Sequence, residues 1–357
     1  MSEFLVRTAL RRSLSQIRYV SPVRAGQTTE LVAQVYQRLE YDFGMLAPPV
    51  ALHSPAPQAL AACWTMLRET LVVPGEVDRS TREAIATAVS LSNACPYCVD
   101  VHAMTLEALG RQEAEDPEDD QRIRRIADWA RASAGIDTAT LYGTPFPAAH
   151  TAELVGIVVA FHYINRMVNV FLPETPLPPG VPRPVRGHAL RFLGRFIRSA
   201  VRRDHAPGAS LDLLPPAPLP KDLNWSRGNH YVAEAFARAA GAIDTGAARM
   251  VSDPVRSLVL HRLTDWSGDQ LGISPSWADD AVSGLPAADR ATGKLALLTA
   301  MASFQVDRTV VEQFRQSYPD DRSLIELTSW ASLAAARRIG KWIPAGGAHV
   351  PDDAAGQ

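Results

Sequence analysis

Cysteine is scarce in this chain, with three in 357 residues. A disulfide-stapled secreted scaffold needs a far denser supply, so that class is excluded. Alternating apolar and polar runs are missing, and no Asn-Gly turn separates two apolar segments, so nothing signals a hairpin or half-buried sheet. Charge of one sign is missing as well: 36 Lys and Arg stand against 38 Asp and Glu, for a net charge of −2. No global basic field is available to recruit nucleic acid, and no nucleic-acid partner is expected. No uninterrupted apolar run has the length of a membrane span. The first residues, MSEFLVRTALRRSLSQIRYV, lack the apolar centre of a secretory signal because arginines break it up. They read as a docking helix, and the expected compartment is the reducing cytoplasm.

Helical periodicity is abundant. Leu31, Val32, Val35, Tyr36 and Leu39 recur with period 3.6, and the same pattern returns over 57–72, 81–92, 98–109, 121–134 and 152–171. The expected fold class is all-α. Proline-dense segments at 173–184 and 215–220 interrupt it, since a helix cannot continue through them. Between them Arg191, Arg195, Arg198 and Arg202 fall on one helical face and Leu190, Leu193, Ile197 and Val201 on another. This basic helix, 186–203, reads as a bridging helix with a solvated face, the other reading being a helix on a membrane surface.

The chain also repeats itself. Asp78, Arg79, Thr81 and Ser92 recur at one offset as Asp289, Arg290, Thr292 and Ser303, and Trp129 pairs with Trp330 after a shorter intervening loop. Two copies of one helical unit are implied. The expected organisation is an N-terminal extension plus first unit over 1–172, a linker with the basic helix over 173–224, a degenerate second unit over 225–343, and a flexible tail over 344–357.

The chemistry concentrates in CPYCVDVH, residues 95–102. Pro96 suits the first position of a helix, with Asn93 or Cys95 as its cap. Cys98 then lies in the first turn and His102 one turn later on the same face. A helix N-terminus and a neighbouring imidazole both favour thiolate, and Cys95 is close enough to form a disulfide with Cys98. A nucleophile, a base and a resolving thiol thus fit in eight residues. Haem attachment needs His directly after the second cysteine, where Val99 stands. A structural zinc takes four ligands, and Cys95, Cys98 and His102 lack a fourth, so neither metal nor cofactor is expected. Glu83 has two readings. It closes a capping box with Ser80, or it relays a proton. In the second copy Ala291 and Lys294 replace that pair, and Val306 and Thr309 replace the cysteines.

Glu83, Cys95, Cys98 and His102, spaced E-x11-C-x2-C-x3-H, resemble the signature of the AhpD-like alkylhydroperoxidases in the carboxymuconolactone decarboxylase family. The resemblance extends over about 60–172. It implies an all-α bundle, here as two tandem units with the second degenerate, and a homo-oligomer. It also implies that Cys98 is the attacking thiolate, Cys95 its disulfide partner, and His102 and Glu83 the proton relay. The implied activity is thiol-dependent peroxide reduction or disulfide exchange, with a peroxide as substrate and a thiol or lipoyl-type protein as reductant. AhpD carries a histidine between its cysteines where this chain has Tyr97. The competing reading is an interaction scaffold with a vestigial site. His162, Arg166 and Asn169, with Asn165 beside them, mark an otherwise apolar helix. They either hydrogen-bond between helices or orient a substrate or partner.

Overall fold

The computed structural model describes residues 13–24, 26–109, 117–177, 181, 183–191, 194, 205–269 and 271–343. Among these residues the secondary structure is helical and no strand is present, so the fold class is all-α, as the periodicity implies. The first unit contains α1 (Glu30–Phe43), α2 (Pro57–Leu67), α3 (Arg79–Ser92), α4 (Pro96–Ala108), α5 (Pro117–Ala132), α6 (Ile136–Tyr142) and α7 (Thr151–Phe171). The second contains α8 (His230–Ala247), α9 (Asp253–Asp265), α10 (Ser276–Val282), α11 (Ala287–Met301), α12 (Arg308–Arg315) and α13 (Asp321–Trp342).

The halves join chiefly where α2 packs on α8 and α7 on α13. Every residue of α7 except Asn169 is buried, which explains why its apolar residues surround the helix instead of forming one stripe. The segment Ala148–Phe171 is long and apolar enough for a membrane span, contrary to the expectation from sequence, yet 94% of its window is buried inside the bundle. It is the core helix around which the others gather. Gly340 of α13 permits its close approach: an added Cβ there lies 2.7 Å from Val159 Cγ2 on α7.

The repeat anchors fare unequally. Helices α3 and α11 hold the matched Asp78 and Asp289 segments, and each packs on a central helix, α3 on α7 and α11 on α13. Trp129 and Trp330 lie on helices with different neighbours, α5 against α3 but α13 against α7 and α11.

The end of α2 changes pitch over Arg68–Val72 to a π-helical turn. There Arg68 Nε donates to Asp42 Oδ2 at 2.5 Å and Nη1 to Glu69 Oε1 at 2.7 Å. Glu69 in turn accepts from the Gly208 amide at 2.8 Å and the Ser210 hydroxyl at 2.7 Å. This buried network ties the returning linker to α1 and α2. Of the basic helix, residues 186–191 are helical, and Gly194 abuts α4, where an added Cβ would stand 3.0 Å from the Met104 carbonyl oxygen. Residues 195–204, the first twelve residues and the tail 344–357 lie outside the described residues.

A buried histidine gives the core a pH-sensitive joint. His53 Nε2 accepts the Tyr163 hydroxyl at 2.9 Å, its Nδ1 donates to the Val50 carbonyl at 3.1 Å, and Tyr163 also reaches Ser329 Oγ at 3.2 Å on α13. Burial lowers the His53 pKa from 6.5 to about 4. The unfolded chain therefore takes the proton first. Stability is full above pH 6.5 and falls as pH drops toward 4, by up to about 3 kcal/mol from this group. Urea unfolding across that window is expected to show this slope, and His53→Gln to flatten it. An unchanged slope in the variant would show that another group sets it.

Candidate functional site

Helix α3 begins at Asp78, whose carboxylate accepts from the Thr81 amide at 2.8 Å. The cap is thus Asp78 and not the Ser80-x-x-Glu83 box, so Glu83 is released from capping. Its side chain is fully buried and points to α4. His102 Nδ1 lies 2.6 Å from Glu83 Oε2, and Arg79 Nε donates to Glu83 Oε1 at 2.7 Å. A carboxylate only accepts, so Nδ1 carries the imidazole proton and Nε2 is left as the basic atom. Burial raises the Glu83 pKa, but the charges of Arg79 and His102 outweigh it and hold the carboxyl below its ordinary value. Phe161 of α7 meets the His102 ring edge-on at 4.7 Å and fixes its plane.

The turn from α3 to α4 is tight. Ala94 takes the left-handed conformation at φ 48°, and Cys95 is the N-cap residue, followed by Pro96 in the first helical turn. A non-glycine residue there stores about 1 kcal/mol or more of strain, which the surroundings must hold. Cys95 and Cys98 are both free thiols and nearly sealed, at 1% and 3% exposure. This reverses one expectation from sequence. Burial pushes the Cys98 thiol well above its ordinary pKa, the hydrogen bond and charge of Cys95 push it further, and only a hydrogen bond from Asn165 opposes them. Desolvation outweighs the helix N-terminus, so the resting thiol is protonated.

His162, Arg166 and Asn169 are brought together around the turn, and Asn169 also lines the cleft that Cys95 borders. Asn93 Nδ2 donates to His162 Nδ1 at 3.0 Å and to Asn165 Oδ1 at 3.0 Å. His162 Nε2 lies 3.0 Å from Ser133 Oγ. Burial, then the charge of Arg166, keeps His162 neutral by pushing its pKa well down. Asn169 Nδ2 donates to the Asn93 carbonyl at 3.1 Å and to Ser303 Oγ at 3.2 Å. Arg166 Nε donates to the Ala300 carbonyl at 2.8 Å, near the C-terminus of α11, while Nη1 donates to the His162 carbonyl at 2.7 Å. A cation at a helix C-terminus meets unpaired carbonyls and the negative dipole end, which compensates its burial. Burial lowers the Arg166 pKa to about 10, still leaving it charged at neutral pH.

The sequence placed Asn165 beside the other polar groups of α7, as a bond between helices or a binding group. In the structure its amide donates to Ser90 Oγ at 3.1 Å and reaches Cys98. Its distance from Cys98 in sequence gave no signal; only the packing of α7 on α3 and α4 joins them. Asn165→Ala is expected to raise the Cys98 pKa further and to slow its alkylation about tenfold at fixed pH, as loss of one hydrogen bond to a charged group implies. The pH profile of iodoacetamide labelling checks this, and an unshifted profile would remove Asn165 from the site.

Two cavities flank the pair. Cys98 and His102 open on an apolar pocket of about 60 Å³, walled by Phe43, Met45, Pro48 and Ile164. Cys95 opens on a cleft of about 580 Å³ lined by Arg18, Asp100, Asn169, Glu174 and Phe304 among others. Tyr97 borders both. Among the described residues no cluster of three or more His, Cys, Asp or Glu is arranged to hold a metal.

An all-α bundle carrying a buried cysteine pair at a helix N-terminus, with a His–Glu pair beside it, matches a known family at this very segment. The chain belongs to the carboxymuconolactone decarboxylase family, whose model matches residues 57–142. Among its relatives is an alkyl hydroperoxide reductase of Mycobacterium tuberculosis (strain ATCC 25618 / H37Rv). It is 36% identical over 345 residues, spanning 93% of this chain and 95% of the relative. The likeness therefore runs through both helical units and the linker between them.

Proposed function

We propose that this protein is a thiol-dependent peroxidase in which Cys98 attacks a hydroperoxide and Cys95 resolves the product. The observation that carries the reading is the His102–Glu83 contact at 2.6 Å beside the cysteine pair. It fixes the tautomer that leaves His102 Nε2 ready for a proton. The relative named alkyl hydroperoxide reductase supports the same reading.

In the first step the Cys98 proton passes to His102, and the sulfur attacks the terminal peroxide oxygen. The O–O bond breaks, the alcohol leaves with that proton, and Cys98 becomes a sulfenic acid. Cys95 then attacks the Cys98 sulfur, water leaves, and a disulfide forms. A dithiol, free or borne on a protein, returns both thiols by exchange. Burial serves this scheme: the thiol is held protonated until a peroxide occupies the pocket, so stray oxidants in bulk water meet an unreactive group. His162, Arg166 and Asn169 contribute by bracing the turn that carries Cys95. A reducing cytoplasm and a homo-oligomeric assembly belong to the same proposal.

The test is differential alkylation with peptide mass spectrometry on reduced protein given one equivalent of cumene hydroperoxide. A rapid Cys95–Cys98 disulfide is expected, and a much slower one in His102→Ala. Thiols that stay free in the wild-type chain would end the peroxidase reading and leave an interaction role.

A further inference from the structure

The second unit has no cysteine pair, yet it carries a cleft of its own. The cleft holds about 460 Å³ and is lined from α8, α9, α13 and the turn at Asp222. None of its lining residues borders either cavity beside Cys95 and Cys98. Four cations line it, Arg256, Arg337, Arg338 and Lys341, against two carboxylates, Asp222 and Asp244.

The carboxylates are already engaged. Arg337 holds Asp222 in a two-pronged pair, Nε to Oδ2 and Nη2 to Oδ1, both at 2.7 Å. Asp244 is shared between Arg337 at 3.6 Å and Arg256 at 3.8 Å. Arg338 and Lys341 lie one turn apart on α13, and among the described residues neither forms a salt bridge. Arg338 Nη2 donates to the Thr264 carbonyl at 2.8 Å, but its Nε is buried with no acceptor. The dipole at the C-terminus of α13 accounts for a cation there. It does not account for a buried N–H left without an oxygen, which costs free energy that a ligand acceptor restores. The rest of the wall is apolar. Trp330 and Leu263 are buried, Arg256 lies over the Trp330 indole at 5.1 Å, and Leu260 stays 45% exposed.

We propose that this cleft binds a small amphipathic carboxylate, a fatty acid of medium chain length, with its head between Arg338 and Lys341 and its chain along Leu260, Leu263 and Trp330. Three observations select that class. Two cations without a carboxylate partner attract an anion, while Asp222 and Asp244 in the same wall repel a polyanion such as a nucleotide. The unpaired Arg338 Nε calls for an oxygen acceptor, and a carboxylate is a strong one. The apolar surface bordering the cations gains from covering by an alkyl chain and not by water. The site lies in the second unit and stands independently of the peroxidase reading.

The experiment is isothermal titration calorimetry of the full chain with sodium octanoate, 1-octanol, acetate and octyl phosphate. Saturable binding of one octanoate per chain is expected. Octanol lacks the head and acetate lacks the chain, so each is expected to bind at least roughly tenfold more weakly. Lys341→Gln is expected to weaken octanoate roughly tenfold, as loss of one charged partner implies, and to leave octanol unchanged. Leu260→Glu, which sets a negative charge at the apolar wall, is expected to weaken octanoate by a similar factor. Both side chains are exposed, so the ligand-free variants are expected to melt with the wild type. No saturable octanoate binding overturns the inference. So does octanoate binding that both variants leave unchanged, because the ligand then sits elsewhere, the apolar pocket at Cys98 included. Octyl phosphate binding more tightly than octanoate overturns the carboxylate assignment.

Discussion

Cys98→Ser is expected to lower peroxide turnover roughly 10⁴-fold or more, the scale on which loss of a covalent nucleophile acts. A serine hydroxyl in this setting has no accessible anion and cannot accept oxygen from a peroxide. Cys95→Ser is expected to behave differently. It completes one oxidation, stops, and accumulates a Cys98 sulfenic acid that dimedone labels. Cys63 provides the control. It is 2% exposed on an apolar face, and burial pushes its thiol far above the ordinary value. Cys63→Ala is expected to keep turnover while losing about 1 kcal/mol of stability to the small cavity left behind. Stopped-flow peroxide consumption with dimedone mass spectrometry checks all three. Full steady-state turnover in Cys95→Ser would disprove the resolving role.

The second large effect is expected from Glu83→Gln. The amide still fills the space, but it no longer stabilises an imidazolium at His102 when the Cys98 proton arrives. A loss of about 10²–10³ in kcat is expected with little change in KM, as for removal of one partner from a proton relay. Stability suffers too. Arg79, with 15% of its side chain exposed, loses its buried carboxylate, for a cost of about 3 kcal/mol. Wild-type stability carries the matching pH signature. Because the folded Glu83 pKa is lowered, its contribution is full above the ordinary carboxylate range and is lost as pH falls through the folded value. In Glu83→Gln that acid limb is expected to shrink. Chemical denaturation at pH 7 and pH 3.5 measures it. A variant with wild-type kcat and an unchanged acid limb would return Glu83 to a purely structural place.

Much of this site is local in sequence, and local physics made it readable. Residues three and four apart on one helix share a face whatever the helix packs against, so Cys98 and His102 follow from CPYCVDVH alone. Pro96 is a terminus signal, and its helix begins there. Period 3.6 without alternation fixed the all-α class, because a strand cannot bury that pattern on one side. The role of Glu83 was a different matter. Its box with Ser80 was as good a local reading as the relay, and only the tertiary structure, with Asp78 holding the cap and α4 packed on α3, sets its carboxylate against His102.

Distance in sequence hid the rest. Asn165, Asn93 and Ser90 meet because α7 crosses α3, and nothing in the chain's order records that crossing. For Arg166 the sequence left open a bond between helices or a binding role, and Ala300, at the end of a helix in the other unit, supplies the carbonyl for the first. The Cys98 pKa shows the division most sharply. Sequence determines the helix N-terminus and the neighbouring histidine, and both favour thiolate. Tertiary structure buries Cys98 to 3% exposure, and the lost hydration of the anion outweighs them. Hydration depends on everything packed around a group, so it belongs to the fold as a whole and to no short stretch of residues.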